Sequence, residues 1–219
     1  MALTLYYHPF SSYSWKALIP LYEAGTPFAA RRIDDPQAAA EWKRRWPIGR
    51  FPVLVEEESG LTLPEASIII EYLDRHYPGL RPMIPRDPDR QLEARLLDRF
   101  FDNYVHASLQ KIVGDRLRDE ARRDVQGVRE AHTMLDTCYA WIETRMAGRE
   151  WAVDDTFTLA DCAAAPALFY ADWVHPIGDA FPNVSAYRVR LLARPSVQRA
   201  IDDARPFRPL FPGGAPDRD

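Results

Sequence analysis

The sequence predicts an α/β domain of about eighty residues followed by an all-helical domain, and three observations carry that prediction. Short apolar runs with period-2 alternation alternate with helix-periodic segments as far as Tyr77, and then stop. The segment Arg81-Pro82-Met83-Ile84-Pro85-Arg86-Asp87-Pro88 carries three prolines in eight residues, a composition that enters neither helix nor sheet and reads as a linker. Beyond it every apolar stripe has helical spacing.

Each element follows from local pattern. Leu3, Leu5 and Tyr7 alternate with Thr4 and Tyr6 as a first strand, and His8-Pro9 with three nearby serines forms a turn. Trp15, Leu18, Ile19 and Tyr22 then fall on one helical face, ended by Gly25 with Pro27 just beyond. Phe28 to Ile33 reads as a second strand and Glu41 to Trp46 as a short helix. Val53 to Val55 and Leu61 to Leu63 form two strands of a hairpin turning at Ser59-Gly60. Pro64 is expected to open a helix with Ala66, Ile69, Ile70, Leu73 and Tyr77 on its buried stripe, closed by Pro78-Gly79. The order strand, helix, strand, helix, strand, strand, helix is that of a thioredoxin-like unit.

In the second half, Leu97, Phe100, Phe101, Tyr104, Val105 and Leu109 mark one long helix, and Val128, Ala131, Leu135, Cys138, Ile142 and Met146 mark another, antiparallel to it. Phe157-Thr158-Leu159-Ala160-Asp161-Cys162 is a helix start: Thr158 caps, Asp161 returns a hydrogen bond, and Phe157 with Cys162 forms a hydrophobic staple. Pro166 is expected to kink this helix. The resulting division is residues 1–80, linker 81–88, helical domain 89–211 and a Gly/Pro-rich tail 212–219 expected to fray.

Composition narrows the function classes. The 28 basic and 32 acidic side chains are interspersed, for a net charge of -4, so no basic footprint for nucleic acid is expected. Neither a membrane-spanning run nor a signal-peptide pattern is recognised, which predicts a cytoplasmic protein. Cys138 and Cys162 both fall on helical core positions, away from the first domain, so thiol exchange and thiolate metal binding are not expected. His8 and His106 lack spaced partners, and no metal is predicted.

Three segments resemble motifs of the cytosolic glutathione transferases, in their order and spacing: Gly49-Arg50-Phe51-Pro52-Val53-Leu54, Leu63-Pro64-Glu65-Ala66-Ser67 with the helix that follows, and the Thr158-Leu159-Ala160-Asp161 cap. The resemblance implies a thioredoxin-like domain that holds glutathione as co-substrate, an all-helical second domain, and a homodimer. It implies a cis bond before Pro52, with Phe51 pairing through its backbone to the cysteinyl part of glutathione. Glu65 is then placed to meet the γ-glutamyl ammonium, the helix end at Ala66 its carboxylate, and Arg50 the glycyl carboxylate. Related proteins commonly have serine where this chain has Ala66, so a side-chain donor is missing there.

The sulfur end is expected at Ser11-Ser12-Tyr13-Ser14-Trp15, which as bare sequence is a helix N-cap region. It resembles the Ser-Ser-Cys-Ser-Trp stretch of zeta-class transferases, with Tyr13 in place of cysteine and with Lys16 and Leu18 where zeta enzymes have arginines. The resemblance implies a serine-type catalyst at Ser11, with Ser12 as the alternative, and ranks the phenols of Tyr6, Tyr7 and Tyr13 below them. An acceptor pocket for a small apolar electrophile is expected between the domains, lined by Tyr13, Tyr104, Leu109 and Trp173. The activity implied is glutathione conjugation in detoxification, with isomerisation or dehalogenation less favoured. A glutathione transferase-like module that only binds partners is the alternative.

Overall fold

The computed structural model describes residues 3–153 and 155–219. Its first part is a four-stranded sheet of order β2-β1-β3-β4, made of β1 (Leu3–Tyr7), β2 (Phe28–Arg32), β3 (Val53–Glu56) and β4 (Leu61–Pro64). β2 runs parallel to β1, through the crossover helix α1 (Ser12–Ala24), while β3 and β4 are antiparallel to their neighbours. α1 starts where expected, with Ser11 as N-cap, and ends at Gly25, whose φ of 62° is the left-handed conformation that only glycine takes at no steric cost. α2 (Pro36–Arg45) is longer than its charged core suggested, because Asp35 caps it and Pro36 sits at its first position.

Pro64 does not open a helix. It ends β4, in register with Val53, and α3 (Ala66–His76) begins two residues later with Glu65 as its N-cap. The interior of this domain lies on both faces of the sheet: Leu3, Leu5, Leu18 and Ile69 on one side, Tyr6, Trp42, Val53 and Val55 on the other.

The second part contains α4 (Pro88–Phe100), α5 (Ala107–Arg116), α6 (Val125–Met146), α7 (Leu159–Val174), α8 (Pro182–Leu192) and α9 (Pro195–Ala204). The long helix expected through Leu109 is interrupted: Phe101–His106 adopt π-helical geometry between α4 and α5. The wider turn rotates the stripe, leaving Phe101 and Val105 in the core but Tyr104 half exposed. α7 is buried along its whole length, with Pro166 inside it. Thr158 and Asp161 form the expected capping box, and Asp161 also accepts from Ala152 N at 2.9 Å and Tyr187 Oη at 2.6 Å.

The domains share a core. Trp15, Ile19 and Ile70 of the first pack with Phe169 and Tyr170 of α7. The tail 212–219 is tied down: Arg116 donates to Pro212 O at 3.2 Å, Arg205 and Arg208 pair with Asp219, and Arg218 pairs with Asp172. Arginine spacing across 100 residues gives no periodic signal, so composition alone suggested a frayed end. No helix among the described residues is long and apolar enough to cross a membrane.

Candidate functional site

α1 begins at the C-terminal end of β1, so the chain from Phe10 to Tyr13 meets the loop before β3 and the start of α3 at one end of the strands. Between them lies a cleft of about 730 Å³ bordered by Phe10, Ser11, Ser12 and Tyr13, by Trp46, Gly49, Arg50, Phe51 and Pro52, and by Pro64, Glu65 and Ala66. Ala107 and Gln110 close it from the helical domain. All seven residues expected to catalyse or to hold glutathione therefore border one cleft.

Each corner has its own local cause. The Phe51–Pro52 peptide bond is cis. Glu65 has φ 70° and ψ 112°, a conformation that costs a non-glycine residue about 1–3 kcal/mol and clusters at functional sites. Its side chain makes no capping hydrogen bond, so its carboxylate borders the cleft and leaves the first N–H groups of α3 uncapped by it. Ser67, one residue beyond Ala66, turns away: its Oγ accepts from Lys16 Nζ at 2.9 Å and donates to Asp98 Oδ2 at 2.8 Å. It therefore does not replace the missing serine at 66.

The three serines differ in what their hydroxyls do. Ser11 Oγ accepts from Ser14 N at 3.3 Å as the N-cap of α1. Ser12 Oγ is buried, 2.7 Å from His106 Nε2 in the π-helical segment. Ser14 is fully buried and its Oγ accepts from His8 N. Burial, with the nearby Lys16 ammonium acting in the same direction, pushes the His106 imidazole down to about 3, so it is neutral across the working pH range. Tyr13 stacks on it with ring centroids 4.2 Å apart, and burial pushes the Tyr13 phenol up to about 12. Tyr6 and Tyr7 are buried in β1 and border no part of the cleft.

A second cleft of about 410 Å³ adjoins the first, sharing Phe10, Ser11, Ser12, Phe51 and Gln110. Its other walls are His8, Leu109, Val113, Leu117, Tyr170, Leu210, Phe211 and Pro212, with no charged side chain among them. Leu109 lies on this wall, whereas Tyr13, expected beside it, borders only the first cleft. Tyr104 and Trp173 are not on this wall: the π turn points Tyr104 outward against Phe100, and Trp173 is buried behind Phe211. Tyr170, one turn earlier on α7, occupies the wall instead.

Sequence reasoning missed Trp46 and the contact of His106. The Trp46 Nε1 is buried with no hydrogen-bond partner among the described residues, on the wall that also holds Arg50. A tryptophan just before Pro-Ile-Gly-Arg was a readable signal, since an indole N–H in a buried setting needs an acceptor. His106 was unreadable because its partner lies 94 residues away. Among the described residues no group of three or more His, Cys, Asp or Glu side chains is placed to hold a metal ion.

Residues 1–75 match the glutathione S-transferase N-terminal domain model and residues 93–195 match the C-terminal domain model. The chain belongs to the cytosolic glutathione transferase family. It is 28% identical to FtsZ-localized protein A of Caulobacter vibrioides over 214 residues, covering 93% of this chain and 92% of that protein. It is 30% identical to the glutathione S-transferase-like protein LUC7 of Fusarium sp over 165 residues, 74% of each chain. Among solved structures, a glutathione S-transferase from Methylobacterium radiotolerans in complex with glutathione sulfonate superposes with a TM-score of 0.78 at 28% identity, covering 100% of this chain and 99% of that one.

Proposed function

We propose that this family member is a serine-type glutathione transferase that stabilises the glutathione thiolate for attack on a small, uncharged, apolar electrophile. The observation that carries the reading is Ser11: its oxygen already caps α1 with one lone pair, so its O–H is free to point at a sulfur lying in the cleft it borders. Lowering a thiol near pKa 8.5 by two units takes about 2.7 kcal/mol of preferential thiolate stabilisation. A hydrogen bond to a charged acceptor contributes roughly 1.5–3 kcal/mol and a helix N-terminus roughly 0.3–1 kcal/mol, so Ser11 at the start of α1 suffices.

In this reading Glu65 meets the γ-glutamyl ammonium, the N–H groups at Ala66 and beyond meet its carboxylate, and Phe51 pairs with the cysteinyl backbone. Arg50 and the unpartnered Trp46 N–H take the glycyl carboxylate. The thiolate attacks an electrophilic carbon held in the second cleft, whose apolar walls favour neutral substrates. The new S–C bond forms as a leaving group departs or as the adjacent carbon takes a proton from water. Zeta-like isomerisation of an acidic substrate is disfavoured, because Lys16 is committed to Asp98 and Asp102. We infer a cytoplasmic homodimer. The exposed apolar residues Leu92, Leu96, Tyr104 and Trp141 supply a face for it, which sedimentation of the purified chain tests.

The decisive experiment assays glutathione with a panel of neutral electrophiles in wild type, Ser11→Ala, Ser12→Ala and the double variant. Activity that survives in all of them rules out the serine mechanism. A second reading is favoured by the likeness to FtsZ-localized protein A along 93% of the chain: a glutathione transferase-like module that binds a protein partner without turnover. Binding of glutathione in a thermal-shift assay, with no conjugation of any electrophile, would favour it.

A further inference from the structure

Two rows of polar side chains face each other across the domain boundary. On α1, Ser12 and Lys16 are one turn apart. On α4 and the π-helical segment, Asp98, Asp102 and His106 follow at four-residue steps, kept in line by the wider turn. Lys16 Nζ lies 2.5 Å from Asp98 Oδ1 and 2.6 Å from Asp102 Oδ2, and Ser12 Oγ lies 2.7 Å from His106 Nε2. All five residues are buried, so each polar contact is fixed rather than exchanged with water.

A third group bears on the direction of the Ser12–His106 hydrogen bond. The amide nitrogen of Gln110 faces the same His106 Nε2 at 3.5 Å, and an amide NH2 only donates. With the single ring N–H on Nδ1, the Nε2 lone pair accepts from both. Tyr13, stacked on the imidazole, holds the ring plane. Ser12 then donates its only proton away from the clefts, although its oxygen borders both.

We propose that His106 is a positioning residue that draws the Ser12 proton inward, so that Ser11 alone offers a hydroxyl proton to the glutathione sulfur while Ser12 faces the clefts as a hydrogen-bond acceptor. The proposal rests on the thiolate-stabilising reading above and decides between its two serines. A Ser12 lone pair beside the sulfur disfavours the thiolate, so the sequence neighbours act in opposite directions.

The test is the ionisation of glutathione bound to the full chain, followed by thiolate absorbance against pH. His106→Phe removes the acceptor and keeps a ring for Tyr13; the freed Ser12 O–H swings outward, and the bound thiol pKa falls by about one, the effect of an added donor. Ser12→Ala placed on top of His106→Phe reverses that fall, and His106→Gln, whose amide oxygen accepts, holds the wild-type value. A merely structural role for His106 produces no such fall. A bound thiol pKa that rises or stays unchanged in folded His106→Phe overturns the proposal. Nitrogen-15 NMR of wild-type His106 decides the same point without substitution: an unprotonated Nε2 is expected, and an Nε2–H ring overturns it. Failure of wild type to bind glutathione would sink the transferase reading itself, and the tautomer still reports which way the Ser12 proton points.

Discussion

Lys16 Nζ lies 2.6 Å from Asp102 Oδ2 where the two domains meet, with 1% of the lysine side chain and 10% of the aspartate exposed. Asp98 shares the ammonium, and Arg99, half exposed, reaches Asp98 Oδ2 at 2.7 Å and Asp102 Oδ2 at 2.5 Å. Burial pushes the Asp102 carboxyl up, with Lys16 opposing. Breaking a buried ion group by removing one partner strands the other charges in low dielectric, at about 3–5 kcal/mol. Lys16→Met is therefore expected to lower the melting temperature by roughly 10 °C, at about 2–4 °C per kcal/mol for a chain of this size. Adding Asp98→Asn and Asp102→Asn to Lys16→Met should recover part of that loss. A triple variant less stable than the single would show that the charges contribute more than their burial costs.

Ala66 stands at the start of α3 where relatives commonly present a hydroxyl, and Ser67 is committed to Lys16 and Asp98. Ala66→Ser is expected to tighten glutathione binding about fivefold, the worth of one ordinary hydrogen bond of about 1 kcal/mol. Calorimetric titration of the two proteins with glutathione measures it. Equal affinities would mean that the backbone of α3 already satisfies the γ-glutamyl carboxylate.

What the sequence revealed was mostly local. Gly25 and Ser11 mark the ends of α1, Asp161 completes the cap of α7, and the hairpin turns at residues 57–60, because caps and turns depend on a few neighbouring residues. Glu65 was misplaced by two positions, inside the first turn rather than at the N-cap, since its positive φ leaves no compositional mark on a glutamate. The π turn at Phe101–His106 was invisible because apolar spacing through Leu109 still fits an α-helix closely enough. It is the turn that moves Tyr104 off the expected wall, and it brings His106 to Ser12. Contacts such as this one, and the arginine pairs of the tail, join residues whose separation has no period, so only the fold displays them.

Asp161 is fully buried and accepts from Thr158 N at 2.8 Å, Ala152 N at 2.9 Å and Tyr187 Oη at 2.6 Å. Asp161→Ala leaves these donors buried without partners, each at about 1–3 kcal/mol. A loss on the order of 4 kcal/mol in urea unfolding is expected, with the glutathione cleft intact in any folded fraction. Tyr187→Phe removes one donor along with its bond and should cost much less. Comparable losses in the two variants would mean that the Tyr187 bond, rather than the α7 cap, carries the stability.

The buried imidazole of His106 also sets the acid response of the fold. Its ordinary value of 6.5 applies in the unfolded chain, and burial in the folded one pushes it down to about 3. Between those values the unfolded chain binds a proton that the native state does not, so this contribution is fully present above pH 6.5 and is lost as the pH falls toward 3. The loss runs at roughly 1.4 kcal/mol per pH unit, or about 2 kcal/mol between pH 6.5 and 5. His8 and His132, which burial also pushes down, act in the same direction and are shared by the variant. Urea midpoints of wild type and His106→Gln, compared from pH 7 to 5, separate the two effects. The variant is expected to show the shallower decline, because glutamine does not titrate; parallel declines would mean that His106 takes up its proton in the native state and that the Ser12 contact opens in acid.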